Sequence, residues 1–199
     1  MNKKENSKIK YGLKINTDFD EDKIKNNTRI ININDKEHKI IKEEYLTSKN
    51  KENFISHTII NLNVEGASIE FIGRYRGNEN LIDVFCKVHH NADNTKSIIN
   101  IRSIAETGSK IISRTDIFVK ENVKGVEGEE KCKYVFVVDE DGNTGEIDTI
   151  PALDINSSEV RVSHAVSISK IKKADIWYAG LNAFKKEEAE KFFKENFLN

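Results

Sequence analysis

The chain has 199 residues and a mass of 22.8 kDa, enough for one domain with its own apolar core. Its net charge is −1 although 33% of its residues are charged, so it lacks the concentrated basic excess that nucleic-acid binding requires. No apolar run approaches the roughly 20 residues of a membrane span. The polar start MNKKENSKIK lacks the apolar core of a signal peptide. These features predict a soluble, cytoplasmic protein that binds neither nucleic acid nor membrane.

The two cysteines, Cys86 and Cys132, are too far apart in sequence to form a CxxC metal clip. A reducing cytosol favours free thiols over a disulfide between them. The sequence also lacks the phosphate-binding GxxxxGK[ST] loop, the GxSxG and HExxH motifs and the kinase signature. We therefore expect a protein that is not an enzyme, and any ATP used in its work is expected to be bound by a partner.

Residues 1–40 are rich in lysine and asparagine and contain only short apolar pieces, such as residues 30–33. We interpret them as a variable, partly ordered N-terminal arm that can contribute an edge strand.

The central part of the chain, residues 41–171, carries a succession of short alternating segments. Turns rich in glycine, asparagine and aspartate separate them. The predicted strands include residues 81–88, 97–104, 110–119, 131–138, 147–155 and 159–168. No helical pattern lies between them, which predicts an all-β body. Periodicity alone leaves a sandwich, a barrel and a β-solenoid open.

The pattern changes to a period near 3.6 after Ile171, and residues 172–199 are predicted to be helical. A short helix is expected over residues 175–181, and an amphipathic helix over residues 187–198. Ala189, Phe192, Phe193 and Phe197 form one apolar stripe on the second helix. This stripe is expected to pack on the β body.

Two side chains of the type that binds metals fall in apolar strand faces. His164 shares its face of a strand with apolar residues at the other even positions from 160 to 168. Cys132 opens the strand before the proline segment, on the face that continues with Tyr134. Lys131 and Lys133 flank Cys132, and their charges are expected to favour the thiolate.

The order of motifs in this region resembles one known family. Cys132 is followed by TIPALD (149–154), RVSHA (161–165), SKI (169–171), ADIWY (174–178) and KEEA (186–189). This pattern resembles the SufB/SufD family, the scaffold of the SUF iron–sulfur cluster assembly machinery, from about His57 to the C-terminus. The resemblance implies a mainly β protein, a right-handed parallel β-helix with a short C-terminal α-helical segment.

The resemblance also implies a function and a site. Cys132 matches the cysteine that SufB-type members use in building the cluster, and His164 matches the family's central histidine. A transient iron–sulfur cluster is thus the expected cofactor. The expected partners are a SufC-like ATPase and a second subunit, in a homodimer or in a heterodimer with a SufB/SufD relative. The candidate ATPase contacts in the helical segment are Trp177, Tyr178, Phe192, Phe193 and Phe197.

The sequence departs from the family pattern beside the histidine. Ser163 and Ala165 stand where SufB-type members have glutamates, which is closer to SufD-type members, and the chain is shorter on its N-terminal side. The alternative is therefore a structural or interaction β-helix subunit that has lost cluster binding. A third possibility is a carbohydrate-active β-helix enzyme that uses Asp148 and Asp154, which have the same parity.

Three other residues receive structural interpretations. Cys86 shares its parity with neighbouring apolar residues and is expected in the core. Adjacent strand residues point to opposite faces, so His89 and His90 cannot chelate one ion together, and they are expected in a turn or loop.

Overall fold

The structure, a computed structural model, describes residues 24–46, 51–180 and 184–199. These residues form ten strands followed by two helices. In chain order the elements are β1 (Ile24–Ile33), β2 (His38–Leu46), β3 (Asn53–Leu62), β4 (Ser68–Gly77), β5 (Leu81–His90), β6 (Lys96–Ala105), β7 (Lys110–Val119), β8 (Val126–Val138), β9 (Glu146–Ile155), β10 (Val160–Lys172), α1 (Lys173–Gly180) and α2 (Lys186–Leu198).

Successive strands alternate between two parallel sheets. The odd-numbered strands pair in the order β1-β3-β5-β7-β9, and the even-numbered strands pair in the order β10-β8-β6-β4-β2. Each odd strand and the even strand after it make one coil, so the chain winds through five coils. The fold is therefore a parallel β-helix followed by two helices, which confirms the architecture implied by the resemblance.

Equivalent positions in successive coils stack on one another at the corners. The side-chain amide of Asn61 donates to Asn32, 29 residues earlier. At a second corner, Asn63 donates to Asn34 at 3.0 Å, and Asn91 donates to Asn63 at 2.9 Å. Other corners stack a lysine on a glutamate, as in the 2.9 Å ion pair between Lys96 and Glu127. Because complementary as well as identical side chains stack at the corners, the repeat does not show as a repeated sequence.

The interior between the sheets is the main core. Inward side chains alternate with outward ones along each strand, and the interior packs large residues such as Tyr75, Tyr134 and Phe71, each at most 1% exposed. A second, smaller apolar cluster lies on the outer face of the even-numbered sheet, where Ile104, Val135 and Val137 pack against both helices. This cluster places α1 and α2 over one sheet.

The β-helix begins within the region interpreted as the N-terminal arm. β1 pairs with β3 over its whole length, and β2 begins at His38, so the first coil includes residues assigned to the arm. The edge strand expected there is β1. Residues 1–23 lie outside the described part of the chain. Within the described ranges, neither helix has the length and apolar character to cross a membrane.

Candidate functional site

The two candidate cluster ligands lie on neighbouring parallel strands. Cys132 belongs to β8 and His164 to β10, in the fourth and fifth coils. In the register of this pair, His164 stands beside Glu130 and Cys132 stands beside Val166. Even-numbered positions on both strands face the interior, so the thiol and the imidazole belong to the same face of the sheet.

Cys132 is buried in the middle of its strand, not at its start. Its side chain is 1% exposed, because β8 begins at Val126 and the interior covers Cys132. Lys131 and Lys133 point to the outer face and are exposed. The prediction that these lysines favour the thiolate is therefore wrong: burial raises the pKa of the Cys132 thiol to about 11. At neutral pH the group is a thiol.

His164 is exposed although it lies on an inward-facing position. β10 is the last strand of its sheet, and in the described structure it pairs on one side only, with β8. The same position in an inner coil is covered by the next coil. The expectation that His164 sits in a buried face is thus wrong, because strand alternation does not reveal which strand lies at the end of the β-helix.

Glu130 is a residue that the sequence analysis missed. It lies two positions before Cys132 on the same inward face, and it is 0% exposed. Its Oε2 accepts a hydrogen bond of 3.0 Å from the hydroxyl of Thr115 in the opposite sheet. Its Oε1 is buried without a hydrogen-bond partner in the described structure. Its even parity with Cys132 and Tyr134 was the signal available in the sequence.

Burial also changes the acidity of Glu130. It raises the pKa of this carboxyl to about 7, while the hydrogen bond from Thr115 opposes the shift and the negative charge of Asp116 adds to it. Near neutral pH the group therefore exists in both protonation states. A buried carboxyl of this kind can accept or release a proton beside the Cys132 thiol.

Hydroxyl groups surround these two residues and join the two sheets across the interior. Tyr134 donates to Ser113 Oγ at 2.7 Å, and the hydroxyl of Thr149 donates to the Tyr134 oxygen at 3.2 Å. This polar band lies in the interior of the fourth and fifth coils. Within it, Glu130 Oε1 is a buried acceptor without a donor among the described residues.

Thiolate, imidazole and carboxylate groups are all ligands that iron takes in proteins. Cys132, His164 and Glu130 supply one of each at neighbouring positions of two paired strands. However, within residues 24–46, 51–180 and 184–199, no three histidine, cysteine or acidic side chains are grouped closely enough to hold a metal ion. The residues fit iron chemically, but a single chain in this conformation does not assemble a full set of ligands.

The other histidines and the second cysteine have structural positions. Cys86 is 2% exposed inside the core, as predicted. His90 is fully buried at the end of β5 and bonds to Thr95 and Ser97 at 2.8 and 2.9 Å, so the loop prediction is wrong for it. His89 also belongs to β5, so the loop prediction is wrong for it as well. It packs its ring on Phe118 outside the core, in agreement with the opposite directions expected.

The acidic pair of the carbohydrate-enzyme alternative does not form a site. Asp148 and Asp154 are both exposed on β9, six positions apart along one extended strand. That spacing separates them by about 20 Å. Glycosidases require two carboxyl groups about 5–9.5 Å apart. The arrangement excludes Asp148 and Asp154 as a glycosidase pair.

The aromatic residues of the helices divide into inner and outer groups. Phe193 and Phe197 are partly buried against the second apolar cluster. Trp177 donates to Glu190 Oε1 at 2.8 Å and so links α1 to α2. Tyr178 and Phe192 are 79% and 53% exposed. The predicted packing stripe therefore holds for Phe193 and Phe197, while Phe192 lies outside it and stacks on Phe184.

The last coil leaves apolar side chains uncovered. Ile150 on β9 is 47% exposed, and Val166 and Ile168 on β10 are 36% and 49% exposed. Both strands are the terminal strands of their sheets. The end of the β-helix that carries His164 thus presents unpaired strand edges together with apolar side chains.

Comparison with known proteins gives one consistent result. The family model described as "SUF system FeS cluster assembly, SufBD core domain" matches residues 4–197. Iron–sulfur cluster assembly SufBD family proteins from Staphylococcus aureus strain USA300 and Staphylococcus haemolyticus strain JCSC1435 are each 25% identical to this chain over 124 residues. The aligned part is 62% of this chain and 26% of each relative, so the chain spans about a quarter of their length.

Proposed function

The chain belongs to the SufBD family, and from this membership we propose that it is a non-enzymatic, cytoplasmic scaffold subunit of iron–sulfur cluster assembly. The observation that carries the proposal is the grouping at the end of the β-helix. A thiol and a carboxyl two residues apart on β8, and an imidazole more distant in sequence on β10, occupy neighbouring inward positions on two paired strands. Cys132, Glu130 and His164 are the proposed ligands of the nascent cluster, which is the cargo of the protein.

Each residue has a distinct part in this proposal. Cys132 supplies the soft thiolate ligand, which requires loss of the thiol proton when iron binds. Glu130 supplies a carboxylate oxygen as a ligand, since its Oε1 has no hydrogen-bond donor in the described structure. His164 is exposed, and so it is the ligand that incoming iron reaches first.

A second subunit is proposed at the last coil. Terminal strands with unpaired backbone groups and apolar side chains are templates for pairing with another chain. β9 and β10 offer both, and His164 lies on β10. A homodimer, or a heterodimer with a SufB/SufD relative, would cover Ile150 and Ile168 and bring further ligands to a cluster at the interface.

A SufC-like ATPase is the proposed partner of the helices. α1 and α2 enclose a largely apolar groove of about 430 Å³ that includes Phe184 and Phe192. Tyr178 is exposed on the same pair of helices. Large aromatic side chains of this kind contribute most of the binding energy in many interfaces. We propose Tyr178 and Phe192 as the ATPase contacts, with Phe193, Phe197 and Trp177 holding the helices in place.

A second candidate function is a structural β-helix subunit that does not bind a cluster. It is favoured by the burial of Cys132 and by Ser163 and Ala165, which replace the glutamates beside the histidine. This candidate keeps the same partners and loses only the iron chemistry.

Anaerobic reconstitution with iron and sulfide distinguishes the two candidates. The wild-type chain, alone and with a SufB/SufD relative, is expected to retain iron and sulfide, and Cys132→Ser is expected to lose both. Cys86→Ser is the matched control, because Cys86 is an equally buried thiol away from His164. A wild-type chain that retains no iron in either setting supports the structural candidate and contradicts the scaffold proposal.

The ATPase contact is tested by pull-down of a SufC-like ATPase. Tyr178→Ala and Phe192→Ala are expected to reduce capture without loss of the fold, because both side chains are exposed. Ile30→Ala, an exposed apolar side chain on β1 in the first coil, is the control. If the variant that carries both Tyr178→Ala and Phe192→Ala captures as much ATPase as the wild type, the assignment of these contacts is contradicted.

A further inference from the structure

A pocket lies away from the cluster site, between α2 and the outer face of the even-numbered sheet. It has a volume of about 590 Å³ and is lined by β2, β4 and α2. This volume is within the range of pockets that hold small molecules. Arg74 on β4 lines its wall and is only 8% exposed.

Arg74 is a buried cation that makes no close ion pair within the described residues. Its Nη1 donates to the backbone oxygens of Gly73 and Asn100 at 2.9 and 3.0 Å and to Asn100 Oδ1 at 3.3 Å. All three acceptors are neutral, and no carboxylate of the described residues lies within ion-pair distance of Arg74. Burial and the positive charge of Arg102 lower the pKa of Arg74, and the negative charges of Glu44 and Glu70 oppose this shift. A further negative charge in direct contact with the guanidinium would stabilise it.

The other cations of the pocket already have carboxylate partners. Arg76 pairs with Glu106, and Lys194 lies 2.9 Å from the other oxygen of Glu106 and 3.3 Å from Glu190. Lys191 pairs with a glutamate of its own helix at 3.8 Å. Since these charges are balanced within the pocket, the positive charge available to a ligand belongs to Arg74.

The geometry of Arg74 indicates what it binds. Its Nε and Nη2 make no hydrogen bond within the described residues, and these two atoms form the side-on fork that matches the two oxygens of a carboxylate or phosphate. The rim carries Glu44 and Glu187, which oppose a doubly charged phosphate more strongly than a singly charged carboxylate. Leu46 and Leu198 provide an apolar wall beside the fork.

We propose that this pocket binds a carboxylate-bearing small molecule through the Nε and Nη2 atoms of Arg74. The site is independent of the proposed cluster chemistry and lies on the opposite side of the sheet from its inward face. The carboxylate can belong to a simple organic acid or to an amino acid, whose ammonium group Glu44 and Glu187 would accept.

The test is a titration followed by NMR at the Arg74 Nε–H, at constant ionic strength, with sodium acetate, glycine and inorganic phosphate as probes. Acetate or glycine is expected to give a saturable shift with a dissociation constant on the order of 1 mM, as for a single small anion. Tighter binding of glycine than of acetate assigns the amino-acid class, and equal binding assigns simple organic acids.

Variants make the test specific to the fork. Arg74→Gln should abolish the saturable change, monitored at backbone amides around the pocket, and Arg74→Lys should weaken binding about tenfold because it keeps the charge but loses the planar fork. Lys133→Gln is the control, an exposed cation on the same outer face outside the pocket. Circular dichroism checks the fold of each variant.

Three outcomes overturn the proposal: no saturable shift in the wild-type chain, saturation by phosphate alone, or unchanged carboxylate binding in Arg74→Lys. If Arg74→Gln does not fold, the wild-type titration and Arg74→Lys decide the question alone.

Discussion

Two buried carboxylates on the same sheet have opposite surroundings. Glu43, in the first coil, accepts hydrogen bonds from Asn27, Arg29 and Ser56 on one oxygen, at 2.8, 3.0 and 2.7 Å, and from Tyr75 on the other at 2.6 Å. Glu130, in the fourth coil, accepts one hydrogen bond, from a threonine.

The difference separates a structural carboxylate from one available for chemistry. Four donors, one of them a cation, hydrogen-bond to Glu43 and fix its position. Glu130 has neither a cation partner nor a donor for its second oxygen. A buried polar group left in this state destabilises the fold and is common at functional sites.

The strongest test of this comparison is Glu43→Ala. The change leaves Arg29 and the buried hydroxyls of Ser56 and Tyr75 without their acceptor, and it is expected to lower the free energy of unfolding by about 3–5 kcal/mol. Urea unfolding at pH 7 measures the effect. Glu44→Ala, its exposed neighbour, should stay within about 0.5 kcal/mol of the wild type. If Glu43→Ala lowers the free energy of unfolding by less than about 1 kcal/mol, the structural role assigned to Glu43 is contradicted.

Glu130→Gln should have the opposite effect at high pH. The pKa of Glu130 is about 7 in the folded chain against 4.5 for an ordinary glutamate, so the folded state binds the proton more tightly. Stability is then full below about pH 4.5 and falls as pH rises towards 7, by up to about 3 kcal/mol.

The glutamine variant lacks this titration, so its stability relative to the wild type should rise between pH 4.5 and pH 8. Thermal melts across this range measure the change. Glu129→Gln is the control, since Glu129 is partly exposed on the outer face and pairs with Lys131 at 2.7 Å. A parallel pH dependence of Glu130→Gln and wild type would show that Glu130 is not the titrating group.

Cys132→Ser should destabilise the chain as well as remove iron. The side chain is 1% exposed, and a serine hydroxyl there costs about 1–3 kcal/mol. Cys86→Ser should cost a similar amount. Thermal melts and iron content measured on the same samples separate a packing role from an iron-binding role. Both variants are expected to have a lower melting temperature, and only Cys132→Ser is expected to lose iron. Iron loss in Cys86→Ser alone would reverse the assignment.

His164→Ala is expected to change stability least. The imidazole is exposed on the terminal strand, so the free energy of unfolding should stay within about 0.5 kcal/mol of the wild type. Iron retained after anaerobic reconstitution should nevertheless fall. Val166→Ala, its partly exposed neighbour on β10, is the control and should keep its iron. Unchanged iron content in His164→Ala would leave Cys132 and Glu130 as the proposed ligands.

The sequence by itself determined the local structure closely. β7 and β9 were predicted to within one residue of their observed bounds, and α2 begins one residue before the predicted helix. Alternation of apolar residues is a property of each strand and is readable without the rest of the chain. The parity of Cys132 and His164 was likewise correct, since both positions face the interior.

Only the tertiary structure decided which inward positions are buried and what they contact. Whether a strand has a neighbour on each side depends on the order of coils, so His164 on β10 is exposed while Cys132 on β8 is covered. The hydrogen-bond partners of Glu43 and Glu130 lie 13 to 32 residues away along the chain. Side-chain burial and the choice of hydrogen-bond partners depend on how the coils pack together. The alternation of apolar residues within a single strand therefore does not determine them.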